Sequence, residues 1–370
     1  MALWSQNSLE SEPFQPSGKY SLRISMCRSF FMTSFLPNAI RRLSWAYVAF
    51  IVFLWLFLYS AGDWWWPATM LLFAPRWFVA LPVLLLSPYA LLRDRRSLIP
   101  LITGGLVVAV PLMGFTISLP SNDAGESKSV RILTCNTDGG LTNLRLEALV
   151  KDLAADIVTL QECPMEVPVE LPERWYMVRH GELVILSRFP LEELDNVMAL
   201  HPPHKWPRDS AFLAIVHMPI GNMVICNVHL PSPRYGLQNI LDHRAGINLA
   251  KTRLLIDETV NRRKAAWEVR QLVLSIQLPV IVAGDFNMPV DSNIYRESWG
   301  NFSNAFSETG FGYGYTEHAA IRGITTAVRI DHILTGNGLM PRVCKVGPDV
   351  GSDHLPLIAD VALAPIGQQQ

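Results

Sequence analysis

Six short segments carry residue types able to hold a hard cation and activate a water. They are Thr134-Cys135-Asn136, Leu160-Gln161-Glu162, Asn227-Val228-His229-Leu230, Gly284-Asp285-Phe286-Asn287, Arg329-Ile330-Asp331-His332 and Ser352-Asp353-His354. Each places a carboxylate, amide or imidazole at the end of an apolar, β-branched run, where a sheet offers side chains to a ligand. Carboxylates suit magnesium, whereas amides and imidazoles suit the non-bridging oxygens of a phosphate. One such segment means little. Six in this order point to metal-assisted attack of water on a phosphate ester.

Sheets must bring those tips together. From Val130 onward, short β-rich runs alternate with turns and a few helices. Val130–Cys135, Asp156–Gln161, Glu182–Ser187, Phe212–His217, Met223–His229, Val280–Ala283, Arg329–Leu334 and Pro356–Val361 read as strands. Asn143–Ala155 and Ile247–Ser275 read as helices, the second with Leu254, Leu255, Val260 and Trp267 on its apolar side. Several strands are nearly continuous in Val, Ile and Leu, as strands covered on both faces are. The expected class is α/β: a four-layer sandwich of two packed, mainly antiparallel sheets flanked by helices. No internal repeat is visible.

The segments resemble the endonuclease/exonuclease/phosphatase superfamily over about residues 129–363, with GDFN, SDH and the upstream QE as the specific part. The resemblance implies Mg²⁺, with Mn²⁺ as a substitute, and a phosphate-ester substrate: nucleic acid, nucleotide or phospholipid headgroup. Glu162, at the end of DIVTLQE, becomes the expected Mg²⁺ ligand. Asn136 and Asp353 match family positions that assist or complete metal binding. Asp285, after the apolar strand VIVA, aligns and deprotonates the attacking water, and Asn287 donates to the phosphoryl oxygen or holds that water. His354 matches the phosphate-contacting histidine of SDH, paired in the family with the aspartate that is Asp331 here. His229 matches a second phosphate-side histidine.

Other residues stay open. Arg234 in PSPRYG and Arg188 in LSRFP either reach a substrate phosphate or serve as loop charges and ion pairs. The run Arg262-Arg263-Lys264 reads most simply as an exposed helix face. His180, His201, His204, His217, His243, His318 and His332 read as surface or packing residues. Trp206, in HPPHKWPRD, can touch a membrane. Neither a basic insertion for a DNA groove nor a lipid-headgroup motif is evident, so nuclease-like activity and phospholipid or headgroup hydrolysis both remain. A non-catalytic, membrane-tethered binding module on the same fold is the rival from another class. No protein partner is expected.

The composition is split. Residues 1–120 carry nine Lys/Arg against four Asp/Glu, and residues 121–370 carry 22 against 28. A mildly acidic second part lacks the basic footprint of a long nucleic-acid binder. The five cysteines show no metal or disulfide spacing and read as free thiols, mostly buried.

Ala46–Ser60 is uncharged, Trp66–Leu92 is apolar but broken at Pro75 and Arg76, and Leu98–Ile117 has no charge. These read as about three transmembrane helices, with Trp64–Trp66 as an interfacial belt. In the second stretch, Arg76 is expected to snorkel and Trp77–Leu92 to cross. Arg41 and Arg42 precede the first span, and Arg93, Arg95 and Arg96 separate the second and third. A positive-inside bias then makes the chain an integral plasma or inner membrane protein with its catalytic domain extracytoplasmic. The expected parts are a cytoplasmic tail (1–42), a membrane anchor (43–118), a linker (119–128), the catalytic domain (129–363) and a flexible tail (364–370).

Overall fold

The structure, a computed structural model, describes residues 19–118, 129–139, 143–165, 174–202, 206–219, 221–241, 251–321 and 324–363. The linker at 119–128, the tail at 364–370, His204, His243 and residues 247–250 lie outside them. The front is helical: α1 (Lys19–Ala61), α2 (Trp66–Leu72), α3 (Leu81–Arg93) and α4 (Leu98–Val107), the last followed by a π-helical turn at Val108–Leu112. Pro37–Ala61, Arg76–Arg93 and Arg95–Leu112 are long and apolar enough to cross a membrane. On them Leu84, Leu85 and Ile102 are exposed, as lipid-facing side chains would be. The stretch read as a tail is helical from Lys19 onward.

The rest follows in chain order. A short β1 (Thr116–Ile117) precedes β2 (Ser129–Asn136), α5 (Asn143–Asp152), β3 (Ile157–Gln161), β4 (Tyr176–His180), β5 (Leu183–Ser187), β6 (Leu191–Leu200), β7 (Pro207–Met218) and β8 (Gly221–His229). Then come α6 (Arg234–Ile240), α7 (Thr252–Leu274), β9 (Val280–Asp285), α8 (Asn293–Trp299), β10 (Ser303–Asn304), α9 (Ala305–Thr309), β11 (Phe311–Gly312), β12 (Glu317–Ile321), β13 (Ile324–Val328), β14 (Asp331–Gly336), β15 (Leu339–Val346) and β16 (Leu357–Leu363). One sheet has the order β15-β16-β2-β3-β5-β4 and the other β10-β14-β9-β8-β7-β6. Within them β2 with β3 and β8 with β9 are parallel, and the other neighbours are antiparallel.

Strand periodicity builds the layers. β2 sends Val130 and Ile132 into the core between the sheets, and Leu133 and Cys135 outward against Leu146, Leu149 and Val150 of α5. β9 sends Ile281 and Ala283 inward, and Val280 and Val282 outward against Val269 and Val273 of α7 and Trp299 of α8. This is the four-layer sandwich. Cys135, Cys163, Cys226 and Cys344 are free and buried.

Helix α7 departs from the expectation. Its buried face is Leu255, Glu258, Thr259, Arg262, Ala265, Ala266, Val269 and Val273, while Val260 and Trp267 point outward. Arg262, read as surface, is completely buried. Its counter-charge comes from the front of the chain. Arg262 Nη2 lies 3.7 Å from Asp63 Oδ1, and Nη1 donates to the carbonyl of Pro231 at 3.2 Å. Asp63 also caps α8: its Oδ2 accepts from the Ser292 hydroxyl and from the Ile294 N–H at 3.2 Å. Around this pair, Arg263 lies 3.9 Å over the ring of Trp64 and Arg296 lies 3.7 Å over Tyr59. Asn293 donates to the carbonyl of Ser60 at 3.2 Å. Ile51–Val79 and the chain from Leu106 onward accordingly form one compact unit. The segment expected to be only an anchor therefore lends the sandwich part of its packing.

Candidate active site

The cluster follows from strand parity. On β9, Ile281 and Ala283 face the inter-sheet core, so Asp285 does too. The same count places Asn136 at the end of β2, Gln161 at the end of β3, Asn227 and His229 on β8, and Asp331 at the start of β14. Register then aligns them: His229 pairs with Asp285, Asp285 with Asp331, and Asn136 with Gln161. The core between the sheets is apolar along its length and ends in this polar rim.

Beneath the rim, Gln161 Nε2 donates to Asn227 Oδ1 at 2.7 Å and to Thr134 Oγ1 at 3.2 Å. Asn227 Nδ2 crosses between the sheets to the carbonyls of Leu160 and Val184, each at 2.9 Å. These bonds pin one sheet to the other just under the site.

Two turns carry backbone strain. Glu162 (φ 53°) and Asn287 (φ 52°) sit in the left-handed region without being glycine. Glycine is required beside them: at Gly284 (φ 150°) a Cβ would fall 2.0 Å from the carbonyl oxygen of Val228.

Asn136 Nδ2 bridges two carboxylates, donating to Glu162 Oε1 and Asp285 Oδ2 at 3.0 Å each. Its amide oxygen is taken by the N–H of Asp138 at 3.1 Å. Asn287 holds Asp285 from the other side, through its backbone N–H at 2.8 Å and its Nδ2 at 3.0 Å. The same Nδ2 donates to the carbonyl of Leu230 at 2.9 Å.

His354 donates through Nδ1 to Asp331 Oδ2 at 2.8 Å, and its Nε2 lies 3.9 Å from both Asp285 Oδ2 and Asp353 Oδ1. His229 Nε2 is 3.4 Å from Glu162 Oε1 and 3.8 Å from Asp285 Oδ2. Ser352 Oγ ties the SDH loop to the carbonyl of Asn136 at 2.8 Å. All eight expected site residues thus fall in one connected group.

Electrostatics separate the two imidazoles. Burial works against a charged His354, but Asp331 and Asp285 outweigh it and hold the ring protonated well above its usual range. Burial dominates at His229, and Glu162 offsets it only in part, so that ring is pushed toward neutral. At Glu162 burial raises the pKa, but His229, Asn136 and His354 together bring it below its usual value. Asp285 moves the other way: burial, then Asp331, push it up to about 8.

Several residues carry no local sign of their part. Glu317 joins Asp353 and His354 in one acid–histidine group, while Asp285, Asp331 and His354 form another. Arg234, left open by the sequence, pairs with Asp353 at 2.6 Å and Glu317 at 3.2 Å. Arg188 lies away, 3.4 Å from Asp156. Thr316 Oγ1 accepts from the N–H of Asp331 at 3.2 Å. His201 packs its ring edge-on against His229, with centroids 5.6 Å apart. His332 is a packing residue, with Nε2 donating to the carbonyl of Met288 at 3.0 Å. Trp206 is exposed.

The sequence profile described as the Endonuclease/Exonuclease/phosphatase family matches residues 133–354. The chain belongs to this family. Its members are hydrolases of phosphoester bonds and generally use a divalent metal. No curated protein sequence matches the chain. Among solved structures, the family protein from Bacteroides vulgatus is similar at 19% identity, over 64% of this chain and 99% of its own, with a TM-score of 0.45. One from Bacteroides thetaiotaomicron is similar at 15% identity, over 65% and 100%, with a TM-score of 0.45. D. rerio TDP2, complexed with single-strand DNA product, is similar at 16% identity, over 63% and 99%, with a TM-score of 0.43.

This member's cluster fits a divalent cation by its own chemistry. Carboxylate oxygens of Asp285 and Asp331 converge with His354 within 4.8 Å, and Glu162, Asp353 and Glu317 add to the same acid surplus. The buried Oδ1 of Asp331 has no hydrogen-bond partner. Crowded carboxylates with an unsatisfied oxygen call for a hard cation.

Proposed function

We propose that the chain is a membrane-anchored, Mg²⁺-dependent phosphoesterase that hydrolyses phosphodiester or phosphomonoester bonds in a nuclease-like manner, with Mn²⁺ as a substitute. The in-register row His229, Asp285 and Asp331, closed over by His354, supports this most directly. Glu162, with Asn136 bonded to it, and Asp353 would hold the cation. When bound, the cation supplies charge for the phosphoryl oxygens and acidifies a water.

The chain's own groups do the rest. Asp285, raised into the neutral range and steadied by Asn136 and Asn287, orients the water and takes its proton. His354, kept cationic by Asp331, faces the developing charge on the phosphate, and His229 supplies a second imidazole on that side. The strained turn at Asn287 holds its amide beside the base.

The second reading, hydrolysis of a phospholipid headgroup, is favoured by one observation: the segment between the first two candidate spans is packed into the same compact unit as the site. An extracytoplasmic site is our reading of the arginine clusters at Arg41, Arg42, Arg93, Arg95 and Arg96. A reporter fused after residue 370 should work only outside the cytoplasm.

The test of function uses the full chain in detergent, assayed on DNA, RNA, nucleotides, sphingomyelin and phosphoinositides with Mg²⁺ or EDTA. Turnover of at least one substrate should need the metal and disappear in Asp285→Ala and His354→Ala. Equal rates with and without those side chains would remove these roles. Failure to bind Mg²⁺ or Mn²⁺ by calorimetry would favour a non-catalytic binding module.

A further inference from the structure

A small, partly open cleft lies beside the loops that leave the candidate site. Arg76 and Gly114 belong to one wall, and Asp291, Tyr313, Tyr315 and Arg329 to the other. Both walls lie in the same compact unit.

The charges in this cleft do not balance. Arg329 is only 6% exposed. Its guanidinium lies 4.8 Å over the ring of Phe306, and Nη2 donates to Ser307 Oγ at 3.1 Å. Its Nη1 is buried with no hydrogen-bond partner. Among the described residues no carboxylate forms an ion pair with it. Asp291 is near enough to act on Arg329 electrostatically, but both of its oxygens are engaged by Arg76. Nor does Arg76 snorkel as expected, because Asp291 and the carbonyls of Leu72 and Leu112 hold it. The cleft therefore holds two guanidinium groups and one carboxylate, which Arg76 alone engages.

A buried cation without a counter-charge is unfavourable unless an anion arrives from outside. Guanidinium geometry suits phosphate oxygens. Burial pushes the Tyr315 hydroxyl up to about 12, so it remains a donor at neutral pH, and Tyr313 stacks on it with centroids 5.2 Å apart. At Gly114 (φ 75°) a Cβ would meet nothing within 4 Å, which leaves that wall open. The position is also suggestive. Arg76 opens one candidate span and Leu112 closes another, so the cleft occurs where the chain passes between apolar and polar surroundings. Lipid phosphates lie at that level of a membrane.

We propose that this cleft binds a phosphate group, with Arg329 supplying the unmatched charge and Arg76 and the two tyrosines flanking it. The phosphate is that of a lipid headgroup or a free anion, since both present the same oxygens. Occupancy would bear on the candidate site, because Arg329 lies two residues before Asp331 at the start of β14, and Asp291 shares a loop with Asn287. Binding at this place does not depend on turnover.

The test uses the full chain in maltoside micelles with EDTA, where the acidic site repels anions. One arm titrates inorganic phosphate; the other mixes phosphatidic acid into the micelles. Binding is followed by tryptophan fluorescence. At least one arm should saturate, and Arg329→Gln should weaken it by about ten- to hundred-fold. Asp291→Asn, which frees Arg76, should tighten it several-fold, a change a purely structural arginine would not produce. That variant decides the matter if Arg329→Gln fails to fold. Saturation by phosphatidic acid alone assigns the site to lipid; saturation by phosphate, alone or in both arms, assigns it to phosphate in general. No saturation in either arm, or affinity indifferent to the Asp291 substitution, overturns the proposal.

Discussion

The sandwich carries two charge clusters built on opposite balances. At the candidate site, Glu162, Asp285, Asp331, Asp353 and Glu317 crowd around two imidazoles and Arg234, and Asp331 keeps an unsatisfied oxygen. Behind α7, Arg262 meets Asp63 in a fully buried pair, and Glu258 turns both oxygens to the N–H of Gly236 at 3.1 and 2.9 Å. The first cluster is short of positive charge, as a site that recruits a cation must be. The second completes its charge from within the chain. Both clusters keep unsatisfied polar atoms, Asp331 Oδ1 in the first and Asp63 Oδ1 with Arg262 Nε and Nη2 in the second, so the balance of charge is what separates them.

The largest test of that contrast is at the base. Asp285→Asn should lower turnover by about a thousand-fold or more while leaving the melting temperature unchanged or higher, because it removes charge crowding. A lower melting temperature would mean that the acids are structural. The matched cluster should behave in reverse. Asp63→Asn or Arg262→Met alone should cost about 3–5 kcal/mol in denaturant titrations of the detergent-solubilised chain. The double variant should lose less than the sum of the two. If both single changes are silent, the socket is idle.

Cation supply comes next. Mg²⁺ at about a hundred times its dissociation constant should stabilise the chain by about 3 kcal/mol. Glu162→Gln should need far more metal for the same melting temperature, whereas Asp63→Asn should not change the metal requirement.

The smallest effect is one of pH. Burial, opposed by the Gly236 N–H and Arg262, pushes Glu258 up to about 8 from 4.5. Between those values the folded chain keeps a proton that the unfolded chain sheds, so this group costs stability as pH rises through the window and no more above it. Glu258→Gln should remove that part of the decline, on the order of 1–3 kcal/mol, when melts of the two chains are compared across pH.

Much of the site was legible because β-branched runs stop at or beside Asn136, Glu162, His229 and Asp285, whereas Asp353 and His354 lie in the loop before β16 and were read from the SDH motif. Strands with polar residues on both faces were not legible: β6 (LEELDNVMAL) is exposed along much of its length, and β15 bulges around Pro341 and Val343. Glu317 lacked any local signal, because its pairing with Arg234 is made only by folding. Arg262 was misread for the same reason: its acid arrives from Asp63, on a segment whose apolar neighbours suggested only a membrane. Parity predicts which side of a strand a residue faces. It is silent about partners brought from the far end of the chain.

A domain on a slack leash can search a sphere of solution. Here Tyr59, Ser60 and Asp63 are riveted to α7 and α8, so the residues just before α2 are no slack tether. Drawing Asp63 away would strand the buried charge of Arg262, so this stretch and the sandwich must come apart together.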